Sequence, residues 1–141
     1  MRVLLTGSAG FIGSEIGRRL TAAGDEVVRV DVLLLQAHAD GPTPADTHRL
    51  DVRDVAAWAH LLDGVDVVCH QSALVGAGVR VADLPSYAAH NDLATAALLA
   101  TMTEAGVDRL VLASSMVVYG EGRYACPVHG HRQPLPRAVE A

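Results

Sequence analysis

RVLLTGSAGFIG, residues 2–13, begins with an apolar run that is typical of a buried strand. The run leads into a turn with three glycines, and the turn leads into a helix whose apolar residues Ile12, Ile16 and Leu20 recur at helical spacing. A glycine-rich turn between a strand and a helix can place a pyrophosphate against the free N–H groups at the helix start. The stretch therefore predicts dinucleotide binding, although a glycine triplet alone is also compatible with an ordinary strand-to-helix connection.

The three glycines of this turn have separate expected roles. Gly7 takes the backbone angles of a tight turn, Gly10 lets phosphates approach because it lacks a Cβ, and Gly13 lets the helix lie close to the strand. Phe11 and Ile12, at the start of the helix, belong to the same expected cofactor-binding segment. The spacing Gly-x-x-Gly-x-x-Gly differs from that of the commonest dehydrogenases, so the prediction depends on the position of the turn between strand and helix.

Composition narrows the class of protein. The 141 residues suffice for one domain, and half of them are hydrophobic although aromatic residues are few. A composition dominated by alanine, valine and leucine suits parallel strands that are covered by helices on both faces. The net charge of −5, without a basic cluster, argues against nucleic acid as the main partner.

Cysteine content and hydropathy indicate the compartment. Cys69 and Cys126 do not form a disulfide framework, which fits a reducing environment. No apolar run approaches the ~20 residues of a membrane span, and glycines and Phe11 interrupt the region where a signal peptide would need an unbroken apolar run. We therefore expect a cytoplasmic protein without a membrane partner.

Apolar runs alternate with helical patterns along the chain, which indicates βαβ units and an α/β fold built on a parallel sheet. The predicted strands are Arg2–Thr6, Glu26–Asp31, His48–Val52, Val65–His70 and Arg109–Ser114. The predicted helices are Phe11–Ala23, Val55–Leu62 and Pro85–Ala105. Periodicity ends after Gly120, so we expect residues 1–120 to form the dinucleotide-binding domain and residues 121–141 an irregular tail of loop or disorder.

Acidic residues are expected at two strand ends, where open α/β sheets bind ligands. Asp31 can accept both hydroxyls of the adenosine ribose and would repel a 2′-phosphate, so NAD is favoured over NADP. A solvated aspartate at a strand end is the alternative for Asp31. Asp51 and Val52 could meet the adenine edge with a carboxylate and a backbone amide.

The last two strands end in small and hydroxyl-bearing residues. Gln71, Ser72 and Ala73 would let a ribose and a phosphate pass close to the backbone. Ser114 and Ser115 are expected where the nicotinamide ring and a substrate would meet, because a serine there can hydrogen-bond a substrate hydroxyl or carbonyl as hydride moves. Serines that simply end a strand are the alternative.

In combination these segments resemble the extended short-chain dehydrogenase/reductase family, and within it the NAD-dependent epimerases and dehydratases that act on nucleotide sugars. The resemblance covers about residues 1–120 and includes the glycine turn, Asp31, residues 50–54, residues 70–73, Asn91 and the run 114–120. It implies a Rossmann-type doubly wound parallel sheet of strand order 3-2-1-4-5, incomplete on its C-terminal side, with NAD as cofactor.

The resemblance also implies roles for individual residues. Ser115 matches the family's catalytic serine or threonine, four residues before the tyrosine of the Val-Tyr-Gly segment, and Asn91 matches a helix asparagine near the cofactor. The implied substrate of the full enzyme is a nucleotide sugar, converted through a 4-keto intermediate. Which sugar is bound, whether the enzyme epimerises, dehydrates or reduces it, and whether the full enzyme is a homodimer all stay open.

The chain departs from the family because it contains no lysine; all eleven Lys+Arg residues are arginine. The family's base is a tyrosine followed four residues later by lysine. At that distance from Tyr87, Tyr119 and Tyr124 stand Asn91, Arg123 and Val128. One hypothesis is therefore the N-terminal part of an enzyme, inactive alone. The other is a dinucleotide-binding sensor or scaffold that has lost the base.

Cys126 and His129 stand three residues apart in the tail. They could supply two ligands of a zinc site, but a structural zinc site has four. We favour an exposed loop cysteine and predict no metal site.

Overall fold

The structure, a computed structural model, describes residues 1–38, 43–76, 80–120 and 122–133. Its centre is a five-stranded sheet of β1 (Arg2–Thr6), β2 (Glu26–Asp31), β3 (Thr47–Arg49), β4 (Val67–His70) and β5 (Leu110–Leu112). The strand order is β3-β2-β1-β4-β5, and every neighbouring pair is parallel. The predicted α/β class and the strand order 3-2-1-4-5 are confirmed.

Helices connect the strands. The α-helices are α1 (Phe11–Ala22), α2 (Leu35–His38), α3 (Val55–Trp58), α4 (Leu84–Tyr87) and α5 (Ala94–Glu104). Three 3₁₀ helices cover Ala59–Leu62, Val81–Asp83 and Met116–Tyr119, and a π-helical segment, Ala88–Leu93, joins α4 to α5. Two further strands, β6 (Tyr124–Cys126) and β7 (Gly130–Arg132), form a separate antiparallel hairpin.

Alternate residues of the central strand β1 pack on opposite faces of the sheet, as the two-residue period of a strand requires. Leu4 lies on the face that is covered by α3 and α5, in a cluster that includes Val30, Trp58, Leu62, Val68 and Leu98. Val3 and Leu5 lie on the other face with Val67 and Cys69, against Ile16 and Leu20 of α1. Only part of the predicted apolar stripe of α1 is therefore in the core, because Ile12 is 62% exposed.

The register of β1 against β4 brings two strand ends together. Thr6 lies opposite His70, so the carboxyl ends of these strands meet at one edge of the sheet. The chain then turns away from each strand, and the space between the departing segments is a crevice of the kind in which open α/β sheets bind ligands.

The helices differ from the sequence predictions in detail. The predicted helix Val55–Leu62 is α-helical only as far as Trp58 and continues as a 3₁₀ turn. The long helix contains the π segment, where Asn91 is hydrogen-bonded to the backbone of Leu74. Helix α2 was not predicted, because its four residues are too few to show a helical period.

The strands are shorter than predicted at several ends. β4 begins at Val67 because the N–H of Val65 closes the preceding turn on Leu62 O, at 3.0 Å. β3 ends at Arg49 and β5 at Leu112. None of these differences changes which residues stand at the carboxyl edge of the sheet.

The expectation of loop or disorder in the tail is wrong for residues 124–132. Tyr124 pairs with Arg132 and Cys126 with Gly130, and Gly130 adopts a φ of 71° where the second strand begins. Three-residue strands on an exposed hairpin need no apolar face, so hydrophobic periodicity could not reveal them.

Candidate functional site

A cleft of about 610 Å³ lies along the carboxyl edge of the sheet. All thirteen residues that the sequence predicted as cofactor-binding line it: Gly7, Gly10, Phe11, Ile12, Gly13, Asp31, Asp51, Val52, Gln71, Ser72, Ala73, Asn91 and Ser114. These residues come from the ends of all five strands of the sheet and from the helices and loops that follow them. Ser115, the predicted catalytic residue, is not among the lining residues of the described chain.

Gly7 and Gly13 are required by the packing of the turn itself. Gly7 has a φ of 65°, and a Cβ there would lie 2.7 Å from the backbone of Gln71 and Ser72. A Cβ on Gly13 would lie 2.0 Å from the carbonyl oxygen of Gly7. Neither position can accept a side chain without moving backbone, because the atoms that would collide are main-chain atoms. The turn is therefore clamped between α1 and the segment after β4.

Gly10 differs from the other two glycines. It caps α1 with an ordinary extended backbone, and a Cβ there would approach only Gly7 O, at 3.4 Å. The protein packing therefore does not explain a glycine at this position. No side chain caps the helix start, which leaves the first N–H groups of α1 available to a ligand. A helix start carries partial positive charge, which favours an anion.

Asp31 is buried, with 6% of its surface exposed, and its carboxylate lies at the cleft. Its Oδ2 atom accepts a hydrogen bond from Ala9 N at 3.0 Å, and its Oδ1 atom accepts one from Leu33 N at 2.8 Å. His38 Nε2 lies 3.4 Å from Oδ1. Asp31 thus joins the glycine turn to the segment after β2. Each carboxylate oxygen can accept a second hydrogen bond, so both can still receive a ligand hydroxyl.

Leu33 is an uncommon feature beside Asp31, since its φ of 54° lies in the left-handed region that non-glycine residues rarely adopt. The bond from its N–H to Asp31 holds this conformation. Backbone strain of this kind is concentrated near functional sites.

Asp51 and Val52 lie together in the cleft, and both already form hydrogen bonds with other residues of the protein. Arg53 donates to both carboxylate oxygens of Asp51, at 2.6 Å from Nη2 to Oδ2, and these bonds hold the pKa of Asp51 below its usual value. The Val52 carbonyl accepts the indole N–H of Trp58 at 2.8 Å. A ligand that meets Asp51 would therefore share its carboxylate with Arg53.

His70 is a buried polar residue of the cleft and the last residue of β4. Thr6 Oγ1 lies 2.6 Å from its Nδ1 atom, and Thr95 Oγ1 lies 3.2 Å from its Nε2 atom. Thr95 donates its own proton to Asn91 O, so it accepts from Nε2–H, and Thr6 donates to Nδ1. This arrangement assigns the neutral imidazole with the proton on Nε2. Burial lowers the pKa of His70, which agrees with that form.

The hydrogen-bond network around His70 continues through Thr95 to Asn91. Its Oδ1 accepts from Leu74 N at 2.8 Å, and its Nδ2 donates to Leu74 O at 3.1 Å. Asn91 therefore ties the π segment to the loop after β4, and its side chain is used by the protein itself. Single-turn π segments are frequent at functional sites.

The two serines that follow β5 differ in their positions and hydrogen bonds. Ser114 lines the cleft, whereas Ser115 caps the 3₁₀ helix by accepting the Val117 N–H at 3.2 Å. That bond leaves the hydroxyl proton of Ser115 free to donate. Met116 and Tyr119, which follow, are 85% and 79% exposed.

Several further lining residues were not predicted to bind the cofactor. They are Val32, Leu34, Ala37, His38, Leu50, His70, Val75, His90, Ala94, Thr95, Leu112 and Ala113. Seven of the twelve lie within two positions of a predicted residue, so an extension of each motif by one or two positions would have found those seven. Ala37 and His38 belong to α2, for which the sequence has no periodic signal.

Within the four described ranges, no group of three or more histidine, cysteine, aspartate or glutamate side chains is arranged to hold a metal ion. No helix in the part of the chain that the structure describes has the length and apolar character to cross a membrane.

Comparison with known proteins connects this geometry to a family. The model of the NAD dependent epimerase/dehydratase family matches residues 3–136. The chain is 34% identical to a dTDP-L-rhamnose 4-epimerase of Burkholderia thailandensis, over 87% of this chain and 37% of that protein. It is 37% identical to a UDP-glucose 4-epimerase of Streptomyces lividans, over 85% of this chain and 37% of that protein.

Solved structures show the same similarity. A UDP-glucose 4-epimerase of Stenotrophomonas maltophila, crystallised with NAD and formylated UDP-arabinopyranose, has a TM-score of 0.74 and 34% identity, over 90% of this chain and 40% of that one. A UDP-glucose 4-epimerase of Thermus thermophilus in complex with NAD has a TM-score of 0.70 and 36% identity, over 82% of this chain and 38% of that one. The chain thus spans 37 to 40% of the length of these four proteins.

Proposed function

The chain belongs to the NAD-dependent epimerase/dehydratase family, and from this premise we propose that it binds NAD in the cleft, as the cofactor-binding part of an enzyme that acts on a nucleotide sugar. The observation that carries the proposal is the contrast among the three glycines. Gly7 and Gly13 are required by internal packing, whereas a Cβ on Gly10 would approach only Gly7 O, at 3.4 Å, and Gly10 lines the cleft. A ligand that approaches the backbone closely supplies the missing reason for Gly10.

The residues of the cleft fit a dinucleotide in their chemistry. The start of α1 would hold the pyrophosphate with backbone N–H groups at Phe11 to Gly13. Asp31 would accept the hydroxyls of the adenosine ribose, and its charge would disfavour a 2′-phosphate. Asp51 and Val52 would border the adenine. NAD-bound relatives of the same fold support this choice of cofactor.

The opposite half of the cleft would receive the nicotinamide end. Small residues at Gln71, Ser72 and Ala73 leave room for a ribose beside the backbone, with Asn91 nearby and Ser114 at the end of β5. NAD supplies hydride acceptance when it is bound. Ser115 would donate its free hydroxyl proton to an oxygen of the sugar and orient it. UDP- and dTDP-sugars are the substrate class that the names of the relatives suggest.

A second candidate function rests on the composition of the chain. With no lysine in the 141 residues, the chain holds no tyrosine–lysine pair of the kind the family uses as a base. A sensor or scaffold that binds a dinucleotide without catalysis would need only the cleft. A sequence that continues beyond residue 141 with Tyr-x-x-x-Lys in frame would decide for the enzyme.

Calorimetric titration with NAD tests the proposal. Gly10→Val should abolish detectable binding, because it places a side chain in the phosphate path without disturbing the fold. Ala22→Val, exposed at the other end of α1, is the matched control and should bind like the unchanged chain. Thermal melts of both variants exclude unfolding as the cause. Equal affinity in all three proteins would show that the glycine stretch is only a turn.

A further inference from the structure

The hairpin of β6 and β7 brings together a cysteine and a histidine, two residue types that bind metal ions, and neither is among the lining residues of the cleft. The Sγ atom of Cys126 and the Nδ1 atom of His129 are 3.4 Å apart. Cys126 is the last residue of β6, and His129 directly precedes β7, so the two ligands converge from the two sides of one tight turn. His129 is exposed and Cys126 is half-buried, so a solvent ion can reach both.

The distance between these two atoms is close to the distance between two ligand atoms of one tetrahedral zinc ion. In a tetrahedral zinc site with Zn–S about 2.3 Å and Zn–N about 2.0–2.1 Å, sulfur and nitrogen ligands are about 3.5–3.6 Å apart. The observed 3.4 Å is therefore close to the ligand spacing of a bound ion. Thiolate with imidazole is a donor set that suits zinc rather than magnesium or calcium. We propose that Cys126 and His129 are two ligands of a zinc site, and that zinc fastens the turn of this hairpin.

The structure also indicates how much of the site the hairpin supplies. Cys126 pairs with Gly130 and His131 pairs with Ala125. Because neighbouring residues of a strand point to opposite faces, His131 lies on the face away from Cys126. The hairpin thus contributes two ligands, and groups outside it fill the remaining two positions of the four that a closed zinc site requires.

A bound ion would have a defined effect on the tail. A two-stranded hairpin alone is marginally stable in water, and these strands have only three residues each. Zinc would cross-link the two ends of the turn, and the Cys126 thiol would release its proton to solvent on binding. The ion would therefore order the segment that follows the 3₁₀ helix Met116–Tyr119.

Cobalt titration of the chain tests the site, because Co²⁺ occupies zinc sites and reports a bound thiolate by a charge-transfer band in the near ultraviolet. We expect the band in the unchanged chain, its loss in Cys126→Ser and a large loss of affinity in His129→Asn. His131→Asn is the matched histidine control, and Cys69→Ala is the thiol control because Cys69 is buried. Both controls should keep the band.

Zinc retained after gel filtration, counted per chain, then shows what completes the site. One zinc per two chains means that a second copy supplies the other two ligands, and one per chain means that solvent or other groups of the same chain do. Hydrogen exchange of residues 124–132 should slow when zinc is added. No thiolate band, or a band that survives Cys126→Ser, would overturn the proposal. NAD titration of the same variants is unaffected by that outcome, so the two proposals can fail separately.

Discussion

The two ends of the cleft are held in different ways. At the glycine turn, Ser8 is fully buried and Asp31 is 6% exposed, and both form hydrogen bonds to neighbouring backbone. At the end of β5, Met116 and Tyr119 are 85% and 79% exposed, and the Ser115 hydroxyl is held only by its own 3₁₀ turn. The chain therefore fixes the geometry of the cofactor-binding half by its own packing. The half that is expected to meet a substrate is exposed and has few such contacts.

The largest expected effect is on catalysis. We predict that the chain alone turns over no UDP- or dTDP-sugar, because it has an oriented serine but no tyrosine–lysine base. General acid–base catalysis contributes about 10²–10⁴-fold, and that factor should be missing. The measurement is the conversion of each sugar in the presence of NAD, followed by chromatography, because the hydride returns to the sugar within each cycle and no net NADH accumulates. Rapid conversion of any of these sugars would show that the half expected to meet a substrate is complete without further residues.

The next effect is on folding at the glycine turn. Gly13→Ala should lower the free energy of unfolding by about 3 kcal/mol or more, since its Cβ would collide with the Gly7 carbonyl oxygen at 2.0 Å. Gly10→Ala is the matched change three residues away and should cost less than about 1 kcal/mol. Urea unfolding of both variants checks this. Similar losses in the two variants would mean that Gly10 is also a packing residue.

Cofactor preference should change at Asp31. The unchanged chain should bind NAD more tightly than NADP, because in the proposed binding mode the Asp31 carboxylate would face the 2′-phosphate. Asp31→Asn should narrow the ratio of the two dissociation constants by about tenfold, or about 1.4 kcal/mol. Asp25→Asn, in the turn before β2, serves as a control of equal charge change. Equal binding of NAD and NADP by the unchanged chain would remove Asp31 from the site.

The smallest expected effect is a pH dependence of stability at His70. Burial lowers its pKa in the folded protein, so the unfolded chain binds the proton more readily. Stability from this group is therefore complete above the ordinary pKa of histidine, near 6.5, and is lost as pH falls below it. Urea unfolding between pH 7.5 and pH 5 should show this slope, on the order of one proton at most.

His70→Gln should lower the free energy of unfolding at pH 7.5 and should flatten that slope. His60→Gln, an exposed histidine, is the control and should keep it. A slope that is unchanged in His70→Gln would assign the pH dependence to other groups.

The sheet and the glycine turn could be predicted from the sequence because each is encoded by neighbouring residues. Val3 to Leu5 and the spacing of the glycines specify a strand, a turn and a helix within a dozen positions. The strand-end residues followed from the rule that ligands bind at the carboxyl edge, and the cleft brings them together. Their roles in binding and catalysis stay predictions.

Other features depend on partners that are distant in the chain. The imidazole of His70 is positioned by Thr6, 64 residues earlier, and by Thr95, 25 residues later. The π segment and the hairpin are too short or too irregular for a periodic pattern to mark them. No window of sequence contains these contacts, so only the fold could reveal them.

The contact between Gly7 and the segment after β4 has a consequence for synthesis on the ribosome. The turn that precedes α1 packs against the backbone of Gln71 and Ser72, which are synthesised 64 and 65 residues after Gly7. At a synthesis rate of about 5–20 residues per second, roughly 3–13 s pass between the synthesis of the glycine turn and that of the backbone against which it packs. A nascent chain shorter than about 72 residues should be unable to capture a dinucleotide, so the cofactor can assist the assembled sheet but not the first βα unit.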